Sequence, residues 1–347
     1  MITTEMAPAP DIKRIKMNYL NLKGTPKEIG FQCGKYFAKQ GINISDTLPP
    51  STEERKKYST AVKPIYKQKY PMLLEEIEGL AEGNGCNEEA LMTFLLSMCT
   101  YTAMNFCTCI AGIDENGHPL LGRNSDFLIA MQSMYSHCLI QPASGYAFIG
   151  NTTGFVEMED GMNEKGLAVG MTFIYSKEKH LGINAGMIVR ILLEQCKSVG
   201  EAILLLKKMR IGSAQTFTLA DREGNRAIVE CNAKRVEVIL SDSVLFAVNQ
   251  FTSDSMKPYN PIDIDDMESD RRLKTCREAL SHSDRLSADC MREVLSGKQG
   301  FLCQYDRSRG GDTVWSVIYD LNEIAVLFCD GNPSRKLFKK LDERLNR

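Results

Sequence analysis

Leu73, Leu74, Ile77 and Leu80 recur at the spacing of one helical face. Much of the first hundred residues reads the same way. Thr25 is placed to cap a helix that has Pro26 at its first position and runs to about Gln40. Residues 43–50, with Pro49 and Pro50, read as a linker. A helical stretch then covers residues 51–82, interrupted near Pro71, and ends at Gly83, Asn84 and Gly85. Asn87 caps a further helix to about Tyr101. A short strand over Tyr19 to Leu22 precedes all of this, and residues 1–16 read as a loose tail.

The pattern changes at Cys107. Thr108, Cys109, Ile110, Ala111, Gly112 and Ile113 form a β-prone run, and Asn116-Gly117 is a hairpin signal before the strand at 118–123. Further β-prone segments fall at 136–141, 145–150 and 166–174. Helices are expected at 184–197 and 199–209, then strands at 215–220, 226–231, 234–240 and 243–248. Helices at 267–281 and 286–295, a strand pair at 313–319 and 324–329, and a last helix from about Ser334 complete the chain. Strands, then two helices, then strands again predict a layered α+β fold.

Composition narrows this picture without redirecting it. The 347 residues are 43% hydrophobic and 25% charged, with a net charge of −2. That is an ordinary globular balance with no global nucleic-acid or membrane signal. Residues 11–70 carry thirteen Lys or Arg against five Asp or Glu, which reads first as a solvated helical face. A contact for anionic acyl-carrier groups is the second reading. The twelve cysteines include no C-x-x-C pair, and four scattered histidines complete no zinc set. The N-terminus has no secretory pattern, so free thiols in a reducing cytoplasm are expected. The apolar run from Ala90 to Met104 is too short to span a bilayer. Gly30-x-x-x-Gly34 and Gly310-Gly311 lack the residues that follow a phosphate loop, so no nucleotide cofactor is expected.

The candidate chemistry lies between Cys107 and Phe127. A hairpin brings its ends together, so Arg123 and Asp126 should land beside Cys107. A guanidinium favours the thiolate, and a carboxylate can orient a base. Taken alone, the same residues also describe a surface hairpin with a buried cysteine. Cys99 and Cys109 compete as nucleophiles. Cys99 falls in a predicted helix, and Cys109 shares the sheet face of Cys107. His118 reads as an ordinary surface residue.

Six segments in order resemble one family. They are Leu22 to Gly34, Glu76 to Gly85, Cys107-Thr108 with Gly122-Arg-Asn-Ser-Asp126, Gly161 to Leu167, Ala247-Val-Asn-Gln-Phe251, and Glu268 to Leu273. The chain resembles the N-terminal-nucleophile (Ntn) amide hydrolases, in the branch of the fungal acyl-CoA:6-aminopenicillanic acid acyltransferase. Bile-salt hydrolases and penicillin V acylases are its cousins. The resemblance implies a four-layer αββα sandwich with a helical N-terminal pro-segment. It also implies cleavage between Phe106 and Cys107. Residues 1–106 would then remain as an α chain, and residues 107–347 would form the catalytic chain. Cys107 would be nucleophile and, through its new amine, base. Asp126 would hold that amine, Arg123 would favour the thiolate and fix Asp126, and the Asn249 side-chain amide would donate to the oxyanion. Arg272, one residue from the alternative Arg271, would complete the network. Thr172 or Phe173 would supply a second oxyanion donor.

The reaction implied is hydrolysis or transfer of the acyl group of a linear N-acyl amide through a thioester on Cys107. No cofactor or metal is implied, and acyl-CoA enters only as a substrate of the transferase variant. The partners are a small N-acyl amide and the chain's own N-terminal fragment, with neither nucleic acid nor membrane; a homo-oligomer is left open. Two departures stand out. Phe106 occupies a position where that branch commonly has Gly, and Ser125 one where it often has Trp. The alternative reading is an uncut, non-catalytic relative that binds or scaffolds.

Overall fold

The computed structural model describes residues 17–101, 106–176, 180–261, 268–280, 284–342 and 345. The predicted tail at 1–16 lies outside them. Among the described residues, two sheets carry the fold. The first strand, β1 (Asn18–Gly24), is followed by the helices α1 (Pro26–Lys39), α2 (Ile44–Thr47), α3 (Glu53–Lys69), α4 (Pro71–Asn84) and α5 (Glu88–Leu96). Thr25 caps α1 in a full capping box with Glu28, and Pro71 opens α4, as the sequence predicts. The expected linker holds the short α2, capped by Asn43.

The hairpin strands β2 (Phe106–Ile113) and β3 (Pro119–Leu128) come next. They are followed by β4 (Ser136–Pro142), β5 (Phe148–Thr152), β6 (Asp160–Asn163) and β7 (Ala168–Ile174). Helices α6 (Ala185–Gln195) and α7 (Val199–Lys208) lead to β8 (Ala214–Ala220), β9 (Arg226–Cys231), β10 (Val236–Leu240) and β11 (Leu245–Ala247). Helices α8 (Ser269–Leu280) and α9 (Ala288–Leu295) precede β12 (Gly311–Asp320), β13 (Ala325–Cys329) and β14 (Lys339–Lys340).

The larger sheet runs β1-β4-β5-β6-β7-β8-β9-β10 and the smaller β11-β2-β3-β12-β13-β14. They pack face to face where β2 and β3 lie on β7 and β8. α1, α6 and α7 cover the outer face of the larger sheet, and α9 packs on β3 and β12 of the smaller. This is the αββα sandwich that the family resemblance implies.

Residues before Cys107 are built into this sandwich. β1 pairs in parallel with β4 at the sheet edge. One apolar cluster joins Leu20, Phe37, Ile77 and Leu95 to Phe148, Val169, Leu192 and Phe217. The predicted division at 106/107 is therefore a point in one strand with the same core on both sides.

Two expectations are corrected. The predicted helix from Ser334 is absent from the described residues. Asn332 there folds the chain into a turn, its side-chain oxygen accepting from the Ser334 backbone N–H at 2.9 Å, and β14 follows. Cys99 sits in a short 3-10 turn, Met98–Thr100, beyond the end of α5.

Candidate active site

Register decides what the hairpin can assemble. Cys107 lies opposite Ser125, Cys109 opposite Arg123 and Phe106 opposite Asp126. Directly opposed residues share a face and successive residues alternate. Cys107, Cys109, Arg123 and Ser125 therefore point one way, and Thr108, Asn124 and Asp126 point the other. The first set faces the larger sheet, where Arg123 Nε donates to the Met171 carbonyl at 2.9 Å. Arg123 and Asp126 lie within β3, which runs on to Leu128.

On the inner face, Arg123 Nη2 donates to Cys107 Sγ at 2.6 Å and to Glu159 Oε2 at 2.8 Å. Its Nη1 donates to Asp160 Oδ2 at 2.8 Å. Asp160 also accepts from the Trp315 indole, the Tyr319 hydroxyl and the Asn151 amide. The guanidinium is fully buried, so its two carboxylate partners hold it in place. Burial pushes the Cys107 thiol well above its ordinary value, and the Arg123 charge pulls the other way without winning. In the intact chain Cys107 is a buried thiol at 0% exposure.

The other face holds Asp126. Its carboxylate accepts from the Tyr305 hydroxyl at 2.9 Å and the Thr313 hydroxyl at 2.5 Å. Burial pushes its pKa up to about 6, opposed first by the charge of Arg272. The expectation that Arg123 fixes Asp126 is corrected here: the carboxylates that Arg123 binds are Glu159 and Asp160, on its own face of the sheet.

At the backbone edge, Cys107 N–H donates to Asn249 Oδ1 at 2.8 Å. Asn249 Nδ2 donates to the Phe173 carbonyl at 2.7 Å. Arg272 Nη1 donates to the Cys107 carbonyl at 2.7 Å and to Thr108 Oγ1 at 3.2 Å, and its Nη2 to Asn249 Oδ1 at 3.0 Å. Arg271 turns outward instead, paired with Glu268 at 2.8 Å and stacked on Phe301. The Thr172 hydroxyl is engaged with Thr216 at 2.6 Å and the Val248 carbonyl at 2.8 Å, so it ties strands together. Phe173 meets the site through its backbone carbonyl and lines a cavity with its side chain.

The structure thus gathers Cys107, Arg123, Asn249 and Arg272 by direct contact, with Asp126 beside Phe106 on the opposite face. Sequence reasoning missed Glu159, Asp160, Tyr305 and Thr313. The run Glu157-Met-Glu-Asp160 was the available signal, immediately before the Gly161 segment. Among the described residues, no three metal-ligating side chains converge, and no helix is long and apolar enough to cross a membrane. His118 lies 3.6 Å from Asp320, far along the hairpin from Cys107.

Comparison with known proteins gives the following. A family model described as acyl-coenzyme A:6-aminopenicillanic acid acyl-transferase matches residues 113–335. That span contains Arg123, Asp126, Asn249 and Arg272 and begins just after Cys107. A variant of the conjugated bile acid hydrolase from Clostridium perfringens is similar in structure at 15% identity. It covers 70% of this chain and 94% of its own, with a TM-score of 0.47. The Caenorhabditis elegans ortholog of N-acylethanolamine-hydrolyzing acid amidase is 17% identical over 62% of this chain and 93% of its own, at 0.45. Penicillin V acylase from Agrobacterium tumefaciens is 16% identical over 64% and 82%, at 0.39. No curated protein sequence matches the chain.

Proposed function

The chain belongs to the acyl-coenzyme A:6-aminopenicillanic acid acyl-transferase family, and from that premise we propose that it is a self-processing cysteine amidohydrolase or acyltransferase. The observation that carries the reading is the contact set of Cys107. Its sulfur meets Arg123, its N–H meets Asn249 and its carbonyl meets Arg272.

Maturation starts when Cys107 Sγ adds to the Phe106 carbonyl carbon. The Phe106–Cys107 C–N bond breaks as a thioester forms, and the amine takes up a proton. Water hydrolyses the thioester, leaving a Phe106 carboxylate and a Cys107 with free thiol and α-amine. That amine has an unperturbed pKa of about 7.7–8.0, suited to a general base near neutral pH. Asn249 Oδ1, which accepts from this nitrogen in the intact chain, is placed to keep it oriented. Asp126, opposite Phe106 in register, would take the charge of the ammonium.

In turnover the amine takes the thiol proton, the sulfur adds to the amide carbonyl, and the substrate amine leaves with that proton. Arg123 steadies the developing thiolate when the acyl-enzyme breaks down. Water gives hydrolysis; an amine acceptor gives transfer, and acyl-CoA would serve as donor on that branch. Asn249 is a candidate oxyanion donor once its contact with Phe173 yields to substrate, and removing one such donor typically costs about 2.7–4 kcal/mol of transition-state stabilisation. The twelve free cysteines suit a reducing compartment such as the cytoplasm.

Intact-mass spectrometry under denaturing conditions tests the reading. The wild type is expected as two fragments divided between Phe106 and Cys107, and Cys107→Ala as one full-length mass without amide turnover. A cut and active Cys107→Ala protein would overturn it. The complete burial of Cys107 in the intact chain supports a second reading for an uncut protein, as a binder of acyl amides. A single full-length mass with retained binding would favour that one.

A further inference from the structure

A cavity opens beside the inner face of β2 and β3, walled by Met98, Phe127, Met171 and Phe173. Glu159 connects it to the sulfur. Its Oε2 accepts from the same Arg123 nitrogen that donates to Cys107 Sγ, so the cavity begins one guanidinium away from the proposed nucleophile. Two further polar groups on this wall have no part in that network.

The first is Glu157, 7% exposed. Its Oε1 accepts from Asn184 Nδ2 at 2.9 Å, and its Oε2 has no hydrogen-bond partner among the described residues. Gly154 and Gly186 make room for that oxygen: a Cβ at Gly186 would meet it at 2.6 Å. The charged group that faces Glu157 is Glu159, whose carboxylate pairs with Arg123. The second is Ser213, 6% exposed, whose hydroxyl is buried without a partner.

A buried hydroxyl without a partner is costly unless a ligand satisfies it, and the Glu157 carboxyl lines the same mostly apolar cavity. A wall built for hydrogen bonding also rejects strongly a ligand that lacks the donor. We propose that this cavity receives the acyl group of the substrate, and that Glu157, with Ser213, selects a short acyl chain ending in a primary ammonium over a plain alkyl chain. The proposal rests on the amidohydrolase reading for its chemistry and adds the substrate class. An ammonium offers three donors, enough for Glu157 Oε2 and Ser213 Oγ together.

The test compares two anilides of matched shape, 4-aminobutanoyl and pentanoyl 4-nitroanilide, on the full chain. The wild type is expected to favour the amino substrate in kcat/KM by about tenfold or more, and Glu157→Gln to cut that ratio by about tenfold. Gln keeps an oxygen for Asn184 but cannot ionise, so the variant removes the carboxylate that a bound ammonium would draw out and retains the anchor. A wild type that prefers the pentanoyl anilide, or a ratio unmoved by Glu157→Gln, would overturn the proposal. So would faster cleavage of an isomer carrying the ammonium on the leaving amine. If neither anilide is turned over, the amidohydrolase reading fails by itself, and calorimetry with 4-aminobutanamide and pentanamide decides the pocket. Tighter binding of the amine by wild-type protein supports the proposal. Equal binding overturns it, whether or not the Gln variant folds.

Discussion

Arg123 serves two buried acids and one sulfur with a single side chain. Removing it leaves Glu159 and Asp160 buried between the sheets without that cation. Arg123→Met is therefore expected to destabilise the fold by about 3–5 kcal/mol, read as a lower denaturation midpoint, besides abolishing turnover. Glu157 makes a prediction of opposite character. Burial pushes its pKa up to about 8, so the folded state holds its proton more tightly than the unfolded chain does. Its contribution to stability is complete below the ordinary carboxylate range and fades as pH rises through about 8. Glu157→Gln cannot titrate, so its melting temperature should gain on the wild type steadily from pH 5 to pH 8.5. A constant difference across that range would contradict this.

The same residues show why the site was partly legible. Cys107, Arg123 and Asp126 sit in one hairpin, so spacing alone brings them near one another. Spacing does not say which face each occupies, and only the register separates Asp126 from Arg123. Glu159 and Asp160 stayed hidden because three acids within four residues, from Glu157 to Asp160, carry no local sign of burial. Their burial exists only because β6 is inserted between β5 and β7.

At the scale of elements, α1 and α4 carry a feature that the sequence offered under another guise. Gly30 and Gly34, unfit for a phosphate loop, face Gly79 and Gly83 where the two helix backbones approach each other. A Cβ at Gly30 would meet the Glu76 carbonyl oxygen at 1.9 Å, and one at Gly79 the Lys27 carbonyl oxygen at 2.1 Å. Both obstacles are backbone, so the helices would have to part. Gly79→Ala is expected to cost about 1–3 kcal/mol in denaturant unfolding despite its better helix propensity. An unchanged or raised midpoint would show that the helices can separate freely. Helix positions were the most readable part of the chain because caps and prolines mark them locally. Strand β6, four residues long, had no such marks, and the apparent C-terminal helix was undone by side-chain contacts of Asn332.

At the scale of the whole molecule, β1 and the cluster around Leu20, Phe37 and Ile77 bind the first hundred residues to the larger sheet. Size-exclusion chromatography of cut protein should therefore give one peak containing both fragments, which part only in denaturant. Two native peaks would contradict the shared core. The layered α+β class was readable because strand and helix signals cluster in blocks along the chain, whereas the sandwich itself followed from the family resemblance. The pairing of β1 with β4 was not, since their register joins residues more than a hundred positions apart.

That shared core gives the proposed cut a direction in time. An intact chain folds with its two halves tethered, so they meet at a high effective concentration whatever the dilution. Once the bond before Cys107 is gone, the same core must form between separate molecules. Unfolding then releases partners that find each other only by collision, and their recovery slows as the solution is diluted. A protein cut in this way would remember being one chain only for as long as it stays folded, its working life set by how slowly it opens.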